Sequence, residues 1–258
     1  MSKIVTIKGN RQSLRVVTWN VYKDNKTIDA LIAYLPELHA DVYALQEVPR
    51  AKVASILELF PHVVFSHEGW TYKKSGEVVE ICNVIASTYE LRNVETFDIS
   101  LASLFQSKKY SQFTSECLSA TIRFGGEEYE IMNTHLRCVA PPWVRVKQFE
   151  ALLKRSDMFK KNVICGDLNT FSWPLLNLMI GRRYSYSFKE LFTNGRKIFE
   201  QVFMRHNLIN PHHGISTFKL FPVQYDYILV DREIEVAHVE KVKVLHGSDH
   251  YALIADIQ

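Results

Sequence analysis

Asp167 and Asn169 stand two residues apart behind Gly166, at the end of the apolar run Val163, Ile164 and Cys165 in NVICGDLNTF. A strand that only had to stop could use any turn residues, so other strand ends become informative. The run LRVVTWNVY carries Trp19 and Asn20 near its end, and DVYALQEV carries Gln46 and Glu47. Asn133, Thr134 and His135 lie near the end of YEIMNTHL. Asp226 opens the run DYILVD, and Asp249 and His250 precede YALIADI. Buried carboxylates and imidazoles are costly unless paired or metal-bound. Polar groups at so many strand ends therefore predict one shared mouth where they converge.

These residue types fit one chemistry. Glu47 offers oxygen to a hard cation such as Mg²⁺, with Mn²⁺ as a substitute, and such an ion takes one or two carboxylates plus substrate phosphate oxygens. Asp167 can orient or deprotonate a water. Asn20 and Asn169 can donate hydrogen bonds to a developing oxyanion. His135 and His250 can supply protons or positive charge, and Asp226 and Asp249 can hold a histidine tautomer or a metal. No activated-serine elbow, P-loop or dinucleotide glycine motif is present. Direct attack by water on a phosphoester follows. Plainer readings compete: an Asx turn for Asp167 and Asn169, an edge carboxylate near Arg50 for Glu47, and structural imidazoles for His135 and His250.

The 258 residues are 47% apolar with a formal charge of +3. That suffices for a large core, excludes disorder, and permits an anionic substrate without requiring nucleic acid. Cys82, Cys117, Cys138 and Cys165 form no CxxC pair, which argues against a zinc knuckle and fits a reducing compartment. The first residues lack a signal-peptide core, and no run reaches the length of a membrane span. A cytoplasmic protein, monomeric, with one domain over residues 1–258 is expected.

The elements that must position these groups are eight short apolar runs, at 14–22, 41–48, 83–88, 118–124, 129–136, 162–169, 225–231 and 251–257. Helical spacing appears at 26–39, 51–60, 142–159 and 195–206. Helices and strands alternate at first and strands then cluster, which predicts two packed sheets with helices outside. Gly166 is expected to let the chain turn at the sheet edge.

In order, TWNV, LQEV, NTHL, GDLNT, YDYILV and GSDH resemble the endonuclease/exonuclease/phosphatase superfamily, over residues 14 to 257. The resemblance implies an α/β fold, a four-layer sandwich of two mainly antiparallel sheets flanked by helices, and Mg²⁺-dependent hydrolysis with inversion at phosphorus. It makes Glu47 the main metal ligand, with Asn20 beside it and Asp249 nearby. Asp167 would align the water and Asn169 would contact the phosphate. His250, oriented by Asp226, would stabilise the transition state, with His135 as a second phosphate-facing histidine. The glutamate supporting His135 in deoxyribonuclease-like members would be Glu80. Where relatives often carry an arginine before the DY motif, this chain has Gln224 and Tyr225.

Trp19 is expected in the core beneath the site. His212 and His213 read as loop residues rather than a metal pair. SWPLLNLMIG, residues 172–181, reads as a helix or a membrane-dipping loop. GRRYSYSFK, residues 181–189, could grip a phosphate backbone and stack bases. The expected substrate is DNA or RNA. A phospholipid or inositol phosphate is the alternative, and an inactive binding module is a third reading.

Overall fold

The apolar runs become strands because each buries a row of branched and aromatic side chains on at least one face. The structure is a computed structural model that describes residues 12–100, 115–138, 140–156, 160–170 and 187–258. Its strands are β1 (Leu14–Asn20), β2 (Val42–Pro49), β3 (His62–Tyr72), β4 (Val78–Ser87), β5 (Arg92–Asp98) and β6 (Glu116–Phe124). They continue with β7 (Glu127–His135), β8 (Lys161–Asp167), β9 (Leu208–Ile209), β10 (Asp226–Asp231), β11 (Val236–Lys241) and β12 (Leu253–Ile257). The helices are α1 (Ile28–Tyr34), α2 (Val53–Leu57), α3 (Pro142–Leu153), α4 (Phe188–Leu191) and α5 (Gly195–Arg205).

Two six-stranded sheets result, in the orders β11-β12-β1-β2-β4-β3 and β5-β6-β7-β8-β10-β9. Only β1 with β2 and β7 with β8 pair in parallel; every other neighbour pair is antiparallel. Val16, Val42 and Ile85 of the first sheet meet Leu118, Ile131, Val163 and Ile228 of the second. The other face of the first sheet packs Trp19, Tyr43 and Leu45 against Leu31 of α1 and Ile56 of α2. The other face of the second packs Met132, Ile164 and Leu229 against Phe149 of α3 and Phe199 and Phe203 of α5. The result is the expected helix–sheet–sheet–helix sandwich. No helix among the described residues is long and apolar enough to cross a membrane.

The eight predicted runs correspond to the eight interior strands. The four strands not anticipated, β3, β5, β9 and β11, are the four sheet edges. Edge strands are one-sided or exposed, and β5 buries only Phe97, so they carry little apolar signal. The helix expected over 26–39 is α1 followed by a 3₁₀ turn at Leu35–Leu38, where Pro36 cannot continue the ladder. Likewise 51–60 begins in a 3₁₀ turn before α2, and the 142–159 helix ends at Leu153. Segment 172–181 and most of 181–189 lie outside the described residues.

Gly166 is not at a turn. It lies inside β8 with φ +141°, opposite Thr134 in the parallel pairing with β7. A Cβ there would sit 1.8 Å from the Thr134 carbonyl oxygen. The glycine allows two backbones to approach so that His135 and Asp167 lie side by side in the register. Gly166→Ala is expected to lower unfolding stability by about 3 kcal/mol or more, read from urea denaturation; an unchanged midpoint would contradict this account of the close approach.

Candidate active site

Glu47 reaches the mouth because β2 is irregular. Its pairing with β4 runs to Leu45 opposite Val84 and resumes at Val48 opposite Cys82. Within the bulge Glu47 adopts φ +56°, uncommon for a residue with a side chain. Its Oε2 accepts from the Lys23 amide at 3.0 Å, and its own amide donates to Glu68 Oε2 at 3.2 Å. Arg50 does not pair with it; that guanidinium lies 4.6 Å from the centroid of the Phe65 ring.

Asn20, at the end of β1, links the sheets. Its Nδ2 donates to Glu47 Oε1 at 3.3 Å and to Asp167 Oδ2 at 3.1 Å, while its Oδ1 accepts from the Tyr22 amide. The expected metal-ligand oxygen of Asn20 is thus turned away from the carboxylates. In this arrangement the side chain bridges them by donation. Asp167 Oδ1 accepts from the Asn169 amide at 2.8 Å. The plain Asx-turn reading therefore holds on Oδ1, while Oδ2 faces Asn20 and the mouth.

His250 is fixed from several sides. Its Nδ1 meets Asp226 Oδ2 at 2.8 Å, its amide donates to Ser248 Oγ, and its carbonyl accepts from Trp19 Nε1 at 3.0 Å. Ser248 Oγ in turn donates to the Asn20 carbonyl. Trp19 is fully buried, as expected, and also tethers the GSDH loop. Gly247 has φ +86°, and a Cβ there would lie 2.2 Å from both Asn25 Oδ1 and Thr27 Oγ1. The Phe218 ring stands edge-on to His250 at 5.1 Å.

Glu80 is not the partner of His135. Its Oε1 lies 2.9 Å from His67 Nδ1. The carboxylate on His135 Nδ1 is Glu68, at 2.5 Å. A register shift between His67 and Gly69 puts Glu68 in a bulge of β3, which aims it into the mouth. Glu68 escaped the sequence analysis because β3 was not anticipated as a strand, so no strand-end position pointed to it.

Burial disfavours the charged form of His250, but Asp226 and Asp167 outweigh it and raise its pKa to about 10. Burial likewise opposes charge on His135, and Glu68 foremost, then Asp167 and Glu47, raises it to about 10. Asn169 Nδ2 donates to the Leu136 carbonyl and also lies 3.0 Å from His135 Nε2. That contact requires a lone pair on Nε2, so we assign the proton to Nδ1, facing Glu68. The direct contact decides this, because the raised pKa depends on carboxylate charge that a bound cation would offset. Burial raises the pKa of Asp167, with His250 opposing. Burial also raises Asp249, with His250 opposing it and Glu47 adding to it.

Glu47, Glu68, Asp167, Asp226 and Asp249 thus outnumber the imidazoles of His135 and His250 and the nearby Lys23. Buried Asp226 Oδ1 and Asp249 Oδ1 have no hydrogen-bond partner. This surplus of hard oxygen and negative charge fits a divalent cation. Asp167, Asp226 and His250 bring ligand atoms within 4.8 Å of one another. Asp226 and His250 are already bonded to each other, however, so Asp249 and Glu47, whose oxygens accept only from neutral amides, suit a cation better. The remaining candidates lie elsewhere. His212 Nε2 contacts the Ile254 carbonyl and His213 pairs with Glu200, so they form no metal pair. Gln224 is buried and exchanges hydrogen bonds with Asn210.

The sequence profile of the Endonuclease/Exonuclease/phosphatase family matches residues 17–250. No curated protein matches the chain. Among solved structures, an endonuclease/exonuclease/phosphatase from Beutenbergia cavernae is 17% identical with a TM-score of 0.75, over 96% of this chain and 72% of that one. D. rerio TDP2 complexed with single-strand DNA product is 15% identical with a TM-score of 0.64, covering 96% and 100%. The human Nocturnin catalytic domain with bound sulfate is 14% identical with a TM-score of 0.65, covering 96% and 95%.

One ring titration and one comparison of ring resonances by NMR test this geometry. Asp226→Asn is expected to lower the His250 pKa from about 10 toward 6.5; an unmoved value would remove Asp226 as its cause. Because that pKa is raised on folding, the pair's stabilisation is full below 6.5 and is lost as pH rises through about 10. Glu68→Gln should shift the His135 ring resonances and Glu80→Gln only those of His67; the reverse pattern would contradict the pairing.

Proposed function

The chain belongs to the endonuclease/exonuclease/phosphatase family, and on that premise we propose that it is a divalent-metal-dependent phosphodiesterase acting on nucleic acid by direct attack of water. The observation that carries this reading is the Asn20 amide bridging Glu47 and Asp167, with His250 Nε2 3.8 Å from the same Asp167 oxygen. A metal ligand, a base and a cationic donor thereby face one small volume. The single family match over 17–250 supports treating 1–258 as one domain.

Glu47 and Asp249 would hold Mg²⁺ or Mn²⁺, which supplies Lewis-acid stabilisation of charge on the phosphate oxygens. Asp167 Oδ2 receives a proton from water. The water oxygen forms a bond to phosphorus as the bond to the leaving oxygen breaks on the opposite side, and the departing alkoxide takes a proton from solvent water. The raised pKa of Asp167 suits a group that must accept that proton. Asn20 holds Asp167 in position during the transfer. His250, kept protonated by Asp226, donates from Nε2 to a phosphoryl oxygen. Asn169 Nδ2 and His135 line the same side, and Glu68 fixes the His135 ring.

Nucleic acid is favoured over other phosphoesters by the relatives' ligands. TDP2 is bound to single-strand DNA product, and Nocturnin holds sulfate, a tetrahedral anion shaped like phosphate. Mg²⁺-dependent nicking of supercoiled plasmid tests the proposal. Nicking should vanish with EDTA and fall at least about a hundredfold in Asp167→Asn. Full activity in that variant would overturn the assignment of the base. No nicking of plasmid and no cleavage of single strands by the folded, Mg²⁺-supplied protein would overturn the substrate class.

A further inference from the structure

A cavity of about 190 Å³ opens beside the site, edged by Glu47, Glu68 and His135. Thr71 and Ile81 of the first sheet and Leu136, just past β7 of the second, give it an apolar lining. Lys23 and Arg137, both half-buried, add positive charge to its walls. Its inner edge is shared with the catalytic groups, and the walls beyond them have no part in the chemistry proposed above. We infer that the cavity seats one unstacked nucleobase next to the scissile phosphate, so that the protein acts on single-stranded or locally opened nucleic acid in preference to intact duplex. The inference rests on the phosphodiesterase reading and names the form of nucleic acid it takes.

Size narrows the occupant. An engineered apolar cavity of about 150 Å³ holds benzene, and pockets for drug-sized ligands begin at about 300 Å³. This space therefore accommodates one ring. Chemistry narrows it further. Ile81 and Leu136 offer no hydrogen bonds to a ring seated against them. A base presents apolar faces to such walls and polar atoms only at its edge. The Ser115 hydroxyl, also on the lining, accepts from Gln148 Nε2 and keeps its own proton to donate to that edge. Lys23 and Arg137 complement the phosphates that flank a base in a polynucleotide. A base in duplex cannot enter without leaving its stack, which costs a few kcal/mol.

The test uses the full chain with Mg²⁺ and a labelled single strand cut at a defined position. Each nucleotide near the cut is replaced in turn by an abasic residue. kcat/KM should fall about tenfold or more at one position beside the cut and stay within about twofold elsewhere. Duplex of the same sequence should be cleaved at least about tenfold more slowly. Ile81→Phe, which fills the cavity, should slow cleavage of the intact strand but not of the strand abasic at that position. Thr71→Leu should act in the same direction, and the abasic series on the unaltered protein needs no variant. Equal cleavage across the abasic series, or duplex cut as fast as single strand, would overturn the cavity assignment and leave the phosphodiesterase standing. Metal-dependent hydrolysis of bis(4-nitrophenyl) phosphate with no cleavage of any strand would overturn the nucleic-acid substrate and this assignment together. No hydrolysis of either would overturn the enzyme itself.

Discussion

Negative charge crowded into a buried mouth is the constraint around which this structure is arranged. Five carboxylates face two imidazoles and Lys23, and an unpaired buried charge costs several kcal/mol. Two pairings relieve part of this, Glu68 with His135 and Asp226 with His250. Asn20 relieves another part by donating to both Glu47 and Asp167. What remains is negative charge on Glu47, Asp167 and Asp249, and oxygens of Asp226 and Asp249 without a hydrogen bond. That is a surplus of negative charge that a divalent cation would relieve.

Backbone features that look irregular in isolation follow from this requirement. The bulges in β2 and β3 aim Glu47 and Glu68 at a common point. Gly166 lets β7 and β8 approach so that His135 and Asp167 stand side by side. Gly247 seats the GSDH loop against Asn25 and Thr27. Beneath the mouth a buried amide network crosses between the sheets. Gln46 Nε2 donates to Asn133 Oδ1 at 2.8 Å, and Asn133 Nδ2 donates to the Leu45 and Val84 carbonyls. It holds the two sheets in one relative position, which is what brings strand ends from both of them to the same place.

The interior of the fold was legible because interior strands bury apolar residues in continuous runs. The edge strands β3, β5, β9 and β11 were not, since an edge strand needs only one good face and β9 is only two residues long. The same blindness explains the error at Glu80. Its strand was visible, but the bulge that delivers Glu68 lies in an edge strand that was not. Asp167, Asn169, Asp226, Glu47, His135 and His250 were legible as a set, because chemically capable residues at several strand ends have few reasons to coincide. The direction of the Asn20 amide and the cavity beside Ile81 belong to side-chain packing between distant segments, which spacing in the chain does not encode.

The most direct test of the charge-balance account is thermal unfolding of metal-free protein with and without saturating Mg²⁺, which needs no substrate. A ligand at a hundred times its dissociation constant stabilises by about 2.7 kcal/mol, which in a chain of this size is a rise in Tm of roughly 5–10 °C. The account predicts such a rise in the unaltered protein and its loss in both Glu47→Gln and Asp249→Asn. A Tm indifferent to Mg²⁺ and Mn²⁺, or a rise that survives both substitutions, would contradict it.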